Sequence, residues 1–300
     1  MSDEQSLLGY SFPAFGSKVR IEASGPAAEG ILLAAAREVK KVSETLTRFD
    51  PTSPLCQLNA DRRSEVQVEP LLLDFIDRAL EASRMTDGLI DPTLLPELEA
   101  AGYRETWSRV GGRIIDGEGL DRTESNPDKR WREIHVDHQA GTVTRPPGVR
   151  FDAGGIGKGM AADMAAVILE EASVWSVDCL GDIRVGGGRL VEIASPERDA
   201  GQLAEFQIED GALATSGTTR RSWKRSDGSR AHHLIDPRTG QPSQGDLVQV
   251  SALAPTAVEA EARAKAALLT GLEQAQGWLP HGGIAVDSKG HLHRFRGDHG

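Results

Sequence analysis

The second half of the chain strings short strand-like segments together with a single helical run among them, and that pattern restricts the fold most. WSVDCL, RLVEIA, AEFQI, ALATS, VQVSALA and GIAVDS are apolar or β-branched stretches of strand length, whereas Ala257 to about Leu269 repeats apolar residues at helical spacing. The first half adds KVRIEA (18–23), which alternates like a half-buried strand, and AAEGILLAAAREVKKVSETLTRF, which is helical and is stopped by DPTSP. In PLLLDFIDRALEASRMTDG the residues Leu72, Phe75, Ile76 and Leu80 share one helix face, and a glycine ends the run. DPTLLPEL then begins a short helix, and IHVDH and GTVTR, separated by QA, form a hairpin pattern. Strands and helices intermingle without the strict alternation of a doubly wound fold, so an α+β, mixed-sheet architecture is expected. Residues 114–131, IIDGEGLDRTESNPDKRW, have no clear period and read as a surface loop that contributes no core.

At 300 residues and 39 % hydrophobic composition, the chain is long enough for one large domain or two lobes, each with its own core. The net charge of −11, from 45 acidic against 34 basic residues, argues against nucleic acid or an anionic membrane as the main partner. An anionic small ligand therefore needs a local positive pocket. Cys56 and Cys179, the two cysteines, make neither a disulfide framework nor a zinc pattern, which points to a reducing compartment. The acidic N-terminal stretch carries no apolar run of signal length, and no segment approaches the ~18 apolar residues of a membrane span, so a soluble cytoplasmic protein is expected.

FDAGGIGKG (151–159) is the stretch with the most chemistry in it. Freed backbone N–H groups, a helix N-terminus and an ammonium meet there, just before the Ala-rich helical run MAADMAAVILEEA, and all three suit an anion. It is not a P-loop, which needs glycine where Asp152 stands and Ser or Thr where Gly159 stands. Nor is it a dinucleotide fingerprint, whose last glycine, counted from Gly155, falls on Met160. Other polar clusters sit at element ends: RFDPTSPLCQLN, DGLIDPTLLP, CLGDIRVGG, ATSG and HHLIDPRTGQP. Singly, each is ordinary turn chemistry, and His233 alone is an ordinary structural histidine.

Together they are more specific. The succession FDPTSPLCQLN, LIDPTLLP, FDAGGIGKG, LGDI, ATSG and HLIDPRTGQP, closed by an Ala-rich helix, resembles the ApbE family, the FAD:protein FMN transferases, over roughly residues 11–285. HLIDPRTGQP with ATSG about twenty residues upstream is the most specific part. The resemblance implies a single domain spanning residues 1–300, a two-lobed α+β (T-fold-like) architecture with FAD between the lobes. It further implies magnesium-dependent attack on the FAD pyrophosphate, moving FMN onto a Thr or Ser hydroxyl of a target flavoprotein and releasing AMP. Some members instead hydrolyse FAD to FMN and AMP. The charge of a pyrophosphate under attack is neutralised by a metal, a lysine and backbone donors. By the family pattern, Gly155 and Lys158 lie near FAD and the Gly157 carbonyl binds the metal. His233 is the general base toward the acceptor hydroxyl, Thr215 and Ser216 hydrogen-bond the nucleotide, Asp182 of LGDI belongs to the same site, and Asp91 and Asp236 shape it.

The chain departs from the family pattern in its terminal helix. The usual Ala-Asp-x-x-x-Thr, whose carboxylate and hydroxyl reach the metal, here reads AEARAK, with Glu261 and Lys265 at those places. Glu followed four residues later by Lys is, on sequence alone, an ordinary surface ion pair worth about 0.2–0.5 kcal/mol. Glu261 could still reach a metal, but Lys265 has no lone pair to offer one. An ammonium at that point would instead neutralise pyrophosphate charge without metal. Leu180 is a second departure, standing where the family has glycine. The alternatives to a transferase are an FAD pyrophosphatase, a non-catalytic FAD-binding relative, and a binder of another nucleotide-like ligand.

Overall fold

The computed structural model describes residues 7–105, 114–115, 129–197, 200–225 and 230–298. Eight strands form one sheet: β1 (Leu8–Ala14), β2 (Ser17–Ala23), β3 (Trp175–Asp178), β4 (Asp182–Ala194), β5 (Gln202–Gly217), β6 (Leu247–Ala254), β7 (Gly283–Asp287) and β8 (Leu292–Phe295). Their spatial order is their chain order, and every neighbouring pair is antiparallel. A parallel pair occurs among the described residues only between Lys224–Arg225 and Ile114–Ile115. The expected α+β architecture is therefore present.

The long excursion between β2 and β3 carries α1 (Ala28–Leu46), α2 (Pro54–Ala60), α3 (Pro70–Met85), α4 (Leu95–Ala100) and α5 (Gly157–Leu169). Between β6 and β7 lie α6 (Ala257–Thr270) and α7 (Leu272–Trp278). Apolar residues recur on one stripe of α1, and Leu32, Ala35, Val39, Val42 and Leu46 are buried in the main core with Leu72, Phe75, Ile76 and Leu80 of α3. The expected hairpin is His135–Asp137 paired with Thr142–Thr144, extended by a third strand, Glu65–Gln67.

α5 and α6 cross closely and cap each other. A Cβ on Gly159 would lie 2.6 Å from the Ala257 carbonyl oxygen, so glycine is what lets the two backbones approach. Asp163 of α5 accepts the N–H groups of Ala257 and Val258 at 2.7 and 2.9 Å, satisfying the start of α6. Glu261 of α6 returns the favour through Oε2, which accepts the Gly159 N–H at 2.8 Å near the start of α5.

Three local readings are corrected. Asp182 and Ile183 of LGDI and the segment RLVEIA belong to one 13-residue strand, and AEFQI and ALATS to one of 16 residues. The glycines that divide the first in sequence form a register shift between Gly186 and Arg189, where Gly187 has φ +76° and a Cβ would strike the Ser173 carbonyl. PLCQLN is a short helix, started by Pro54 and by Ser53 Oγ, which accepts the Cys56 N–H at 3.1 Å. The segment 114–131 is not wholly a coreless loop, because Ile114–Ile115 pairs as a strand and Trp131 is buried in the main core; residues 116–128 of it lie outside the described residues. Among the described residues, no helix is long and apolar enough to cross a membrane.

Candidate active site

A cleft of about 750 Å³ opens where β4, β5 and the β3–β4 turn face the start of α5, the end of α1 and the segment after β5. That volume suits a ligand of nucleotide or dinucleotide size. The sequence-expected residues Asp91, Gly155, Gly157 and Lys158 line it. From the other side come Thr215, Ser216, His233 and Lys265. These eight positions span 175 residues of sequence, from 91 to 265, and the fold brings them to one cleft.

The floor is a buried cluster of four charges. Lys158, in the first turn of α5, bonds Asp182 Oδ2 at the start of β4 and lies 3.2 Å from Glu261 Oε1. Lys265, one turn beyond Glu261 on α6, donates to the same Oε1 at 2.6 Å and to the Gly155 carbonyl at 2.7 Å. Glu261 and Asp182 are fully buried, and Lys265 is only 7 % exposed. The Glu261–Lys265 pair is thus not the surface ion pair that its spacing suggests; α6 is buried on nearly every side, and the pair is its link to the cleft. The carbonyl that Lys265 meets is that of Gly155, two residues before the expected Gly157.

Burial and pairing compete at each of these groups. Burial pulls the Lys158 pKa down, but Asp182 and Glu261 outweigh it and leave Lys158 firmly an ammonium. Burial pushes Glu261 up, and the two lysines more than offset it, so Glu261 stays a carboxylate. Lys265 is lowered by burial, with Glu261 holding against it. Asp182 is raised to about 7, first by burial and then by the neighbouring Glu261 charge, with Lys158 opposing. Its Oδ1 is buried without a hydrogen-bond partner among the described residues.

His233 follows the strand Arg230–His232 and makes no side-chain hydrogen bond among the described residues; its Nδ1 is buried and unpartnered. Burial, and secondarily the Arg221 charge, depress its pKa well below 6.5, so the imidazole is neutral at physiological pH. Tyr103 meets its ring edge-on at 6.5 Å. Thr215 shares a 2.8 Å hydrogen bond with Ser251 Oγ, and its N–H is held by the Gly181 carbonyl at 2.9 Å. Asp91 accepts the N–H and hydroxyl of Thr93 at 2.8 and 2.6 Å, which fixes the turn at the cleft wall. Asp236 is engaged by Arg238 at 2.7 Å and stands off the cleft wall, where it shapes the turn after His233. Leu180 adopts φ +64°, a left-handed conformation that glycine takes more easily.

Sequence reasoning missed the cation that organises the opposite wall. Arg48 pairs with Asp152 at 3.0 Å, donates to the Tyr103 carbonyl at 2.7 Å, and lies 4.3 and 4.5 Å from the ring centroids of Phe49 and Tyr103. Arg48 and Asp152 both fall inside quoted clusters, but nothing in the spacing of two segments a hundred residues apart announces their contact.

The residues opposite the implied magnesium do not fit a divalent ion. Both oxygens of Glu261 are committed, Oε1 to two ammonium groups and Oε2 to a backbone N–H, and the Gly155 carbonyl is taken by Lys265. A cation seated there would have to displace a buried ammonium and then repel it. No group of three or more metal-ligating side chains occurs among the described residues.

Comparison with known proteins fixes the relationship. The model of the ApbE family matches residues 15–286. This chain belongs to the ApbE family. It is 27 % identical over 254 residues to the FAD:protein FMN transferase of Escherichia coli K12, covering 81 % of this chain and 72 % of that protein. To the FAD:protein FMN transferase of Treponema pallidum it is 29 % identical over 290 residues, covering 86 % and 76 %. Among solved structures, the ApbE protein of Thermotoga maritima superposes with a TM-score of 0.80 at 25 % identity, covering 97 % of each chain. The flavin transferase ApbE of Vibrio cholerae, at 21 % identity and TM-score 0.76 over 97 % of each chain, shares the fold.

Proposed function

We propose that this ApbE-family protein is an FAD:protein FMN transferase, with FAD as substrate and a Thr or Ser hydroxyl of a flavoprotein as acceptor. The observation that carries the reading is the convergence of Lys158, Lys265 and the unpartnered His233 on one cleft of dinucleotide size. The reaction is a displacement at phosphorus. The acceptor hydroxyl oxygen forms a bond to the FMN phosphorus, the bond from that phosphorus to the bridging oxygen breaks, and AMP departs with that oxygen. His233, neutral at physiological pH, takes the hydroxyl proton. Lys158 and Lys265 offset the negative charge of the pyrophosphate, and Thr215 and Ser216 hydrogen-bond the nucleotide. Asp182 and Glu261 act through the lysines, whose ammonium groups they hold at the cleft floor. Magnesium, implied by the resemblance, enters no step here because the donor set does not fit it. A cytoplasmic setting belongs to the same reading, supported by two free cysteines of which Cys179 is buried.

The test is incubation of the protein with FAD and a Thr-bearing flavoprotein acceptor, followed by denaturing gel fluorescence and mass spectrometry. Covalent flavin on the acceptor, absent with His233→Ala while FAD binding persists, is the expected result. FAD recovered intact, or transfer unaffected by His233→Ala, contradicts the proposal.

A further inference from the structure

We infer that Lys265, together with Lys158 and Arg221, provides in this chain the positive charge for which the resemblance implied magnesium, so that the FAD pyrophosphate is received without a divalent ion. The inference rests on the flavin reading above and concerns how that site is built.

Three observations carry it. The first is placement. Lys265 lines the cleft and is pinned from behind by two acceptors, the Gly155 carbonyl and Glu261 Oε1, at 2.7 and 2.6 Å. An ammonium has three donors, and those contacts engage two of them, leaving one for a phosphate oxygen. Lys158 is held in a similar way, hydrogen-bonded to Asp182 Oδ2 and ion-paired with Glu261 Oε1 at 3.2 Å.

The second is the distribution of charge: at the cleft floor Lys158 and Lys265 are matched by Asp182 and Glu261, and further cations stand beyond that pairing. Arg221 and its neighbour Arg220 both line the cleft, and neither guanidinium has a hydrogen bond or ion pair among the described residues. In a chain of net charge −11, two unpaired arginines beside the half-buried Lys158 and the buried Lys265 give the cleft cations suited to an anion.

The third is that the groups are preorganised. Glu261 is fixed by the Gly159 N–H and by both lysines, so the ammonium groups are held in place before the ligand arrives. A divalent ion needs about six oxygen ligands at near-octahedral positions, and here both Glu261 oxygens, Asp182 Oδ2 and the Gly155 carbonyl already accept from an ammonium or an N–H.

The experiment measures FAD affinity by flavin fluorescence and calorimetry, in excess EDTA and in excess magnesium, and separately titrates the ligand-free protein with Mn²⁺ by electron paramagnetic resonance. The expected results are equal FAD affinity in both buffers and no stoichiometric Mn²⁺ site. Lys265→Met, of nearly the same length, weakens FAD binding about tenfold to a hundredfold, and magnesium does not restore it. FAD binding about tenfold or more tighter with magnesium, or a stoichiometric Mn²⁺ site in the unsubstituted protein, overturns the inference but not the flavin reading. Failure of FAD to bind in either buffer overturns both. The arms on the unsubstituted protein decide the question even if Lys265→Met does not fold.

Discussion

Glu261→Gln is the substitution that most directly probes how the cleft floor is held. The change keeps the side-chain volume, so no cavity is made, and the amide oxygen can still accept the Gly159 N–H. What disappears is the single negative charge between two ammonium groups, at a fully buried position. Lys158 keeps Asp182, but Lys265 keeps only the Gly155 carbonyl, because an amide whose oxygen accepts the Gly159 N–H turns its NH2 donor toward the ammonium and leaves that charge unpaired. Breaking a buried pair from one side costs about 3–5 kcal/mol, a large part of the ~5–15 kcal/mol that holds a domain folded. Urea unfolding followed by tryptophan fluorescence reads this as a lower midpoint at unchanged slope. The double substitution Glu261→Gln with Lys265→Met removes the stranded charge as well, and is expected to be more stable than Glu261→Gln alone. A loss below about 1 kcal/mol for Glu261→Gln, the size of a solvent-exposed pair, refutes the reasoning, as does simple additivity in the double variant.

Further outcomes follow from the same geometry. Asp182, raised to about 7 from 3.8, gains a proton as pH falls through that value, which frees Lys158 and adds positive charge to the cleft; FAD affinity therefore rises as pH falls from 8 to 6, and Asp182→Asn abolishes the dependence in a fluorescence titration. Gly159→Ala drives a methyl into the Ala257 carbonyl, 2.6 Å from the new Cβ, and lowers stability by about 1–3 kcal/mol in the same urea assay. Asp163→Ala strips two N–H groups of α6 of their acceptor and costs about 1–3 kcal/mol, again read by urea unfolding.

Much of the molecule was readable from its residues, and the exceptions have physical causes. The helices α1 and α3 carry their period openly, α5 and α6 are legible as Ala-rich runs, and the hairpin at 135–144 declares itself by alternation around a turn. The strands β4 and β5 do not, because Gly186, Gly187 and Gly188 in one and Asp210–Gly211 in the other look like turns; a register shift carries β4 through its glycines. The motifs FDAGGIGKG, ATSG and HHLIDP, far apart in sequence, all supply residues that line one cleft. What they could not give was burial. Glu at one position and Lys four later is the commonest surface pattern on a helix, and only the packing of α6 against α5 shows that this pair lies beneath the cleft. Arg48 with Tyr103 and Asp152, and Arg221 beside His233, are contacts of tertiary structure with no local signal.

The most direct test of a flavin transferase is the stoichiometry of its two products. Purified protein, FAD and a Thr-bearing flavoprotein acceptor are incubated, AMP is measured by chromatography, and covalent FMN on the acceptor by mass spectrometry. The account predicts one AMP released for each FMN attached. FAD that remains bound but intact, or AMP accompanied only by free FMN, contradicts it.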